Sequence, residues 1–105
     1  MKISIANGDI ELSKEEKANI ESRLRLSLGR FSSRIARVTV EVSAIDTPHV
    51  GHKKCRMELF LHPARKIVVE DSDPEIQSAI DRSAAQMARS VERKLKRERE
   101  LDGNI

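Results

Sequence analysis

Two stretches decide the fold: Arg37-Val38-Thr39-Val40-Glu41-Val42-Ser43-Ala44-Ile45, and Lys54-Cys55-Arg56-Met57-Glu58-Leu59-Phe60-Leu61-His62. Both alternate with a period of two. Val38, Val40, Val42 and Ala44 share one face of the first, while Arg37, Thr39, Glu41 and Ser43 share the other. In the second, Cys55, Met57, Leu59 and Leu61 point one way and the polar residues the other. Successive side chains of a strand face opposite sides of the sheet, so each stretch reads as a strand with one wet face. Asp46-Thr47-Pro48-His49-Val50-Gly51-His52 between them is a loop by its Pro and Gly. His62-Pro63-Ala64-Arg65 is a turn, and Lys66 to Glu70 reads as a third strand of the same hairpin series, giving an antiparallel sheet.

Outward from this centre, Ile3, Ile5, Ile10 and Leu12 alternate with polar residues around Asn7-Gly8-Asp9, which predicts a short strand broken by a turn or bulge. Ser13-Lys14-Glu15-Glu16 is a capping box, in which hydroxyl and carboxylate each satisfy the other residue's amide. The helix it opens has Ile20, Leu24, Leu28 and Phe31 as its apolar stripe. Gly29 falls where a left-handed residue often ends a helix. Beyond the hairpins, Asp73-Pro74 predicts an N-cap followed by proline at the first helical position. Ile76, Ile80, Ala84, Met87, Val91 and Leu95 follow at helical spacing. The expected architecture is α+β: a two-layer β-α-β-β-β-α domain with two helices packed on one face of a four-stranded sheet. Residues 1–100 are expected to form this one domain and 101–105 a frayed tail.

The chain has 105 residues, of which 35% are charged and 2% aromatic, with no Trp or Tyr. Its core must therefore be aliphatic, and base stacking on aromatic rings is a poor basis for binding single strands. Helical RNA, recognised through backbone and shape, suits it better. Net charge is only +3, but bases gather in Arg23 to Arg37 and Arg82 to Arg99 while acids cluster elsewhere. Segregated charge of this kind points to a polyanionic partner. Cys55 is the single cysteine, which precludes an intramolecular disulfide. The first residues do not form a signal peptide and no apolar run is long enough to span a bilayer, so a cytoplasmic protein without a membrane partner is expected.

The second helix holds the candidate site. Arg82, Arg89, Arg93 and Lys96 fall in one sector opposite its apolar stripe, and Lys94, Arg97 and Arg99 thicken this ridge. Guanidinium forks suit phosphate oxygens. Any amphipathic helix has a charged outer face, however, and cations near a C-terminus also favour the helix dipole. A second basic set, Arg23 and Arg30 on the first helix with Arg34 and Arg37 after it, raises the expectation of one continuous basic surface across both helices. Leu26 points away from its helix's stripe, either as a solitary exposed leucine or as a contact residue. His49, His52 and His62 have no Cys or acidic partner at ligand spacing, so neither a metal nor any other cofactor is expected. No nucleophile, acid and base converge, so an enzyme is not expected.

The chain resembles the ribosome hibernation promoting factors and ribosome-associated inhibitors, the sigma-54 modulation protein family, in its short form. The resemblance spans nearly the whole chain. It rests on Ile3-Ser4-Ile5 with Asn7-Gly8-Asp9-Ile10-Glu11-Leu12, on Phe31 closing the first helix, on the hairpin order, and most on Ile76-Gln77-Ser78-Ala79-Ile80-Asp81. It implies a fold similar to double-stranded-RNA-binding domains. It also implies binding to 16S rRNA of the small (30S) subunit and the 70S ribosome, in the cleft near the decoding centre and tRNA sites, with translation blocked there. The positions matching the family's basic contacts are Arg23, Arg89 and Arg93. Arg30, Arg82, Lys96 and Arg97 join them from the charge pattern. The family usually has Tyr where this chain has Gln77, often Lys at Leu26 and commonly Gln at Ser90. A short form without the extra C-terminal dimerisation domain of the long forms is expected, and a monomer away from the ribosome. The alternatives are a binder of another structured RNA, and a protein-interaction module using the wet sheet face of Arg56, Glu58, Phe60 and His62 with Phe60 as its anchor.

Overall fold

The computed structural model describes residues 1–44, 51–63 and 65–103. Ile45, His49 and Ala64, which the pattern places in a strand end, a loop and a turn, lie outside the described residues, as do residues 104–105 of the expected tail. The elements are β1 (Lys2–Asn7), α1 (Lys14–Leu28), a 3₁₀ helix (Gly29–Arg34), β2 (Ile35–Ala44), β3 (Lys53–Leu61), β4 (Arg65–Asp73) and α2 (Ile76–Gly103). The two-layer β-α-β-β-β-α architecture is therefore as expected. Helix α2 extends through residue 103, into the stretch expected to fray.

The sheet order is β1-β2-β3-β4. Strands β2, β3 and β4 form the antiparallel series expected of hairpins. Strand β1 runs parallel to β2, with Ile3 beside Val38 and Ile5 beside Val40, so the sheet is mixed. A parallel neighbour needs a crossover connection, and α1 supplies it.

One face of the sheet is covered by both helices. Leu24 and Leu28 of α1, Val40 of β2, Met57 and Leu59 of β3, and Met87 and Val91 of α2 are fully buried between the layers. Each such side chain contributes roughly 1.5–3 kcal/mol by leaving water. The alternation predicted this face, with one shift of parity. A bulge between Ile35 and Arg37 turns Ile35 inward as well as Val38, adding a core residue that strict alternation places outside.

The capping box forms as expected: Glu16 N–H donates to Ser13 Oγ and Ser13 N–H to Glu16 Oε1, each at 3.0 Å. These bonds to Ser13 hold the Glu16 carboxyl below its ordinary range. Three local expectations change. Strand β1 ends at Asn7, so Ile10 and Leu12 lie outside it. Gly8 passes so close to the Val42 carbonyl that a Cβ there would collide with it. The Asp9 carboxylate then accepts from Ala44 N–H at 2.9 Å and holds the end of β2 in place of a strand partner. Gly29 is not left-handed: its φ of -56° and ψ of -37° pass the chain straight into the 3₁₀ turn. Asp73 does not cap α2. It remains in β4 opposite Lys53. The first helical carbonyl is that of Glu75, which accepts from Ala79 N–H at 3.3 Å. Asp73 Oδ1 instead accepts from Glu75 N–H at 2.9 Å, shaping the turn into the helix.

Candidate nucleic-acid interface

Helix α2 carries most of the candidate cations, and the elements packed around it divide them into three groups. Arg82 is the most engaged. Its Nε donates to Asp71 Oδ2 at 2.9 Å, Nη1 to Asp73 Oδ2 at 3.0 Å, and Nη2 to the Ser72 carbonyl at 2.9 Å. Asp71 shares the inward parity of Ile67 and Val69, which brings it under the helix. The Arg82 guanidinium holds the Asp71 carboxyl below its usual range, while the Glu75 amide and then Arg82 do the same for Asp73. Arg82 is thus a clip between α2 and the end of β4.

The second group lines the seam between the helices. Arg23 Nε lies 3.1 Å from Asp81 Oδ1, and Arg30 Nη2 lies 3.3 Å from Glu92 Oε2. Arg34, beyond α1, meets Glu98 at 2.7 Å and donates to the His62 carbonyl through both Nε and Nη2. The first two pairs are half exposed and worth little each. They nevertheless place an α2 carboxylate beside Arg23 of α1 and beside Arg30, which lies in the 3₁₀ helix and not on α1 as the spacing suggested. The continuous basic surface expected across both helices is therefore interrupted by acids of α2.

The third group faces the other way. Arg89, Lys96 and Arg97 have no carboxylate at ion-pair distance among the described residues, and Arg93 makes only a long 3.5 Å contact to Ser90 Oγ. Arg89 and Arg93 line a groove with Val68, Val69, Glu70, Gln86 and Ser90, between α2 and the edge strand β4. Arg93, Lys94 and Arg97 continue it over Ile67. Lys96 stands exposed on the outer ridge. The sequence placed Lys94 in the ridge but not among its binding residues; its spacing of one from Arg93 and three from Arg97 was the available signal. Uncompensated guanidinium groups beside an open groove can donate paired hydrogen bonds to phosphate oxygens at no cost in broken ion pairs.

The open sheet face is different again. Arg56 donates to Glu58 and Glu70, each at 2.7 Å, and Lys66 lies 3.5 Å from Glu58. Phe60 is half-buried and does not stand free. The Arg37 guanidinium sits 4.2 Å and the Lys66 ammonium 5.8 Å from its ring centre. Leu26, by contrast, is 81% exposed as its position predicted. It borders a shallow depression with Asn19, Ser22, Arg23 and Gln77, and Gln77 donates to Asp81 at 2.9 Å.

Burial pushes the Cys55 thiol up to about 11, leaving it a small apolar residue of the core. Among the described residues no three His, Cys, Asp or Glu side chains gather as metal ligands. None of their helices is long and apolar enough to cross a membrane.

Fold and site together define a small α+β domain whose long helix has one cationic edge that its own acids leave open. The chain belongs to the sigma 54 modulation protein / S30EA ribosomal protein family, the family of ribosome hibernation factors, whose model matches residues 3–99. No curated protein sequence matches it significantly. Among solved structures it is similar to the Thermus thermophilus Protein Y N-terminal domain, with a TM-score of 0.74 and 20% sequence identity over 89% of this chain and 98% of that one. At that identity the likeness speaks for the fold.

Proposed function

We propose that this protein is a ribosome-associated translation inhibitor. In this reading it binds 16S rRNA in the small-subunit cleft, near the decoding centre and tRNA sites, and holds idle ribosomes out of translation in the cytoplasm. Family membership supports the ribosomal target. The observation that carries the mode of binding is the unpaired set along α2: Arg89, Arg93 and Arg97 beside the groove to β4, with Lys96 on the outer ridge. These groups take phosphates first. Arg23 and Arg30 join by exchanging weak pairs with Asp81 and Glu92. Arg82 keeps α2 in place against β4 and contributes to binding mainly through that alignment. The protein-interaction reading of the sheet face is less favoured, because its charges satisfy one another and cations cover Phe60.

Co-sedimentation of the protein with 30S subunits and 70S ribosomes across a salt series tests this. If about four phosphates are neutralised, affinity falls roughly a hundredfold between about 50 and 200 mM salt. Near-stoichiometric, salt-sensitive binding to 30S supports the reading. Absence of binding at low salt overturns it, and binding to isolated structured RNA without the subunit would move the target elsewhere.

A further inference from the structure

Strand β4 pairs only with β3 among the described residues, so its outer edge presents unpaired amides and carbonyls. Its sequence from residue 65 is Arg-Lys-Ile-Val-Val-Glu-Asp. Read against itself in the antiparallel sense about Val68, this stretch is self-complementary. Lys66 falls opposite Glu70, Arg65 opposite Asp71, and Ile67 opposite Val69. On the open face the two Val68 side chains meet at the centre. Val68 is one of two large apolar residues left exposed among the described residues, at 42%.

From this we infer that β4 pairs with β4 of a second copy of this chain, joining two four-stranded sheets into one. The partners of the flanking charges extend the argument. Glu70 is already bonded to Arg56 and Lys66 to Glu58. Across the junction the signs would alternate from Arg56 to Glu70, to the second copy's lysine, and on to its Glu58 equivalent. Directly opposed unlike charges and apolar pairs each favour a cross-strand register. Registers centred on Lys66 or Glu70 set like charges against each other, so the edge admits this pairing while resisting slipped ones.

The groove residues oppose association. Arg89 and Arg93 border Val68 and Val69, so pairing brings the two cationic helices toward each other. Screening by salt relieves that repulsion. It equally weakens the Lys66–Glu70 attraction across the junction, so the backbone pairing and the Val68 contact set the affinity, and the free chain is a monomer only at low concentration. This departs from the expectation of a monomer off the ribosome.

Sedimentation velocity of the full chain over a range of concentrations, at low and at high salt, is the test. The expected result is a concentration-dependent dimer at both salts, weakened at least tenfold by Val68→Lys. Lys66→Glu and Glu70→Lys should each dissociate it, and mixing the two variants should restore it, because position 66 of each then faces the opposite charge at position 70 of the other. Mixing leaves the contacts within each chain unchanged, so rescue reports a contact between chains; circular dichroism confirms that every variant is folded. A monomer at all concentrations and both salts would overturn the inference. So would a dimer indifferent to Val68→Lys, or a mixture of the two variants that stays monomeric.

Discussion

Arg82 and Arg93 carry the same group on the same side of one helix, three turns apart, yet they do different work. Arg82 at the start of α2 is held by two carboxylates and a carbonyl. Arg93 in the C-terminal half faces an open groove with only Ser90 in distant reach. The difference comes from outside the helix. Strand β4 ends in Asp71-Ser72-Asp73 beneath the first turns, but passes Ile67, Val68 and Val69 along the later ones, where its one acid, Glu70, is paired with Arg56 of β3 instead. A cation on a helix face is a binding group only where the neighbouring element does not bring an acid to it.

The largest effect tests the helix register on which this contrast depends. Met87 is fully buried. Met87→Asp puts an unpaired charge in the core and should cost about 3–5 kcal/mol or more, enough to unfold a domain of ordinary marginal stability. Loss of cooperative thermal unfolding would show it, and a stable, cooperative mutant would undo the assignment of the core face.

Next comes the open half of α2. Reversing Arg89 and Arg93 to Glu should leave the fold intact, since both side chains lie outside the core. Ribosome affinity in co-sedimentation should nevertheless fall by roughly a hundredfold at low salt. The salt dependence of any residual binding should also be shallower, because fewer counterions are released.

The clipped half should respond through stability instead. Arg82→Gln should lower the melting temperature by a few degrees at neutral pH while changing ribosome affinity only slightly. Its pH dependence has a definite sign. Arg82 depresses the carboxyl group of Asp71, and adds to the Glu75 amide in depressing that of Asp73, below their ordinary value of 3.8. Groups depressed on folding stabilise above their unfolded pKa and lose that contribution as pH falls through the folded one. The gap in melting temperature between wild type and variant should therefore be full at neutral pH and close progressively below about pH 4. A gap independent of pH would show that Arg82 acts by packing alone. The smallest effect should come from the sheet face, where Phe60→Ala should change ribosome affinity by less than about twofold, since the ring's cations are already spent on it.

How much of this was legible in the sequence follows from how local each signal is. The Ser13–Glu16 capping box is contained in four residues and forms as read. The alternation of β2 and β3 names nearly all the core residues of those two strands, because a period of two leaves little freedom about which side chains face inward. Ile35 escaped because a bulge shifts the parity by one residue. Asp73-Pro74 misplaced the start of α2 because the strand partner Lys53 and the clip Arg82 hold Asp73 in β4. The cationic ridge was visible from helical spacing, and its cations stand where that spacing put them. Its division was not visible, since Asp71 and Asp81 reach Arg82 and Arg23 only once the elements have packed. Helical periodicity describes one element, whereas the availability of a charge depends on two.

The central claim is that the unpaired cations of α2, and not its cations in general, meet the ribosome. Its most direct test is to sediment 30S subunits at low salt with the Arg89→Glu/Arg93→Glu protein and with Arg82→Gln, each shown to be folded. The account predicts that the double reversal stays in the supernatant while Arg82→Gln pellets almost as wild type does. Equal losses in both, or full binding by the double reversal, would contradict it.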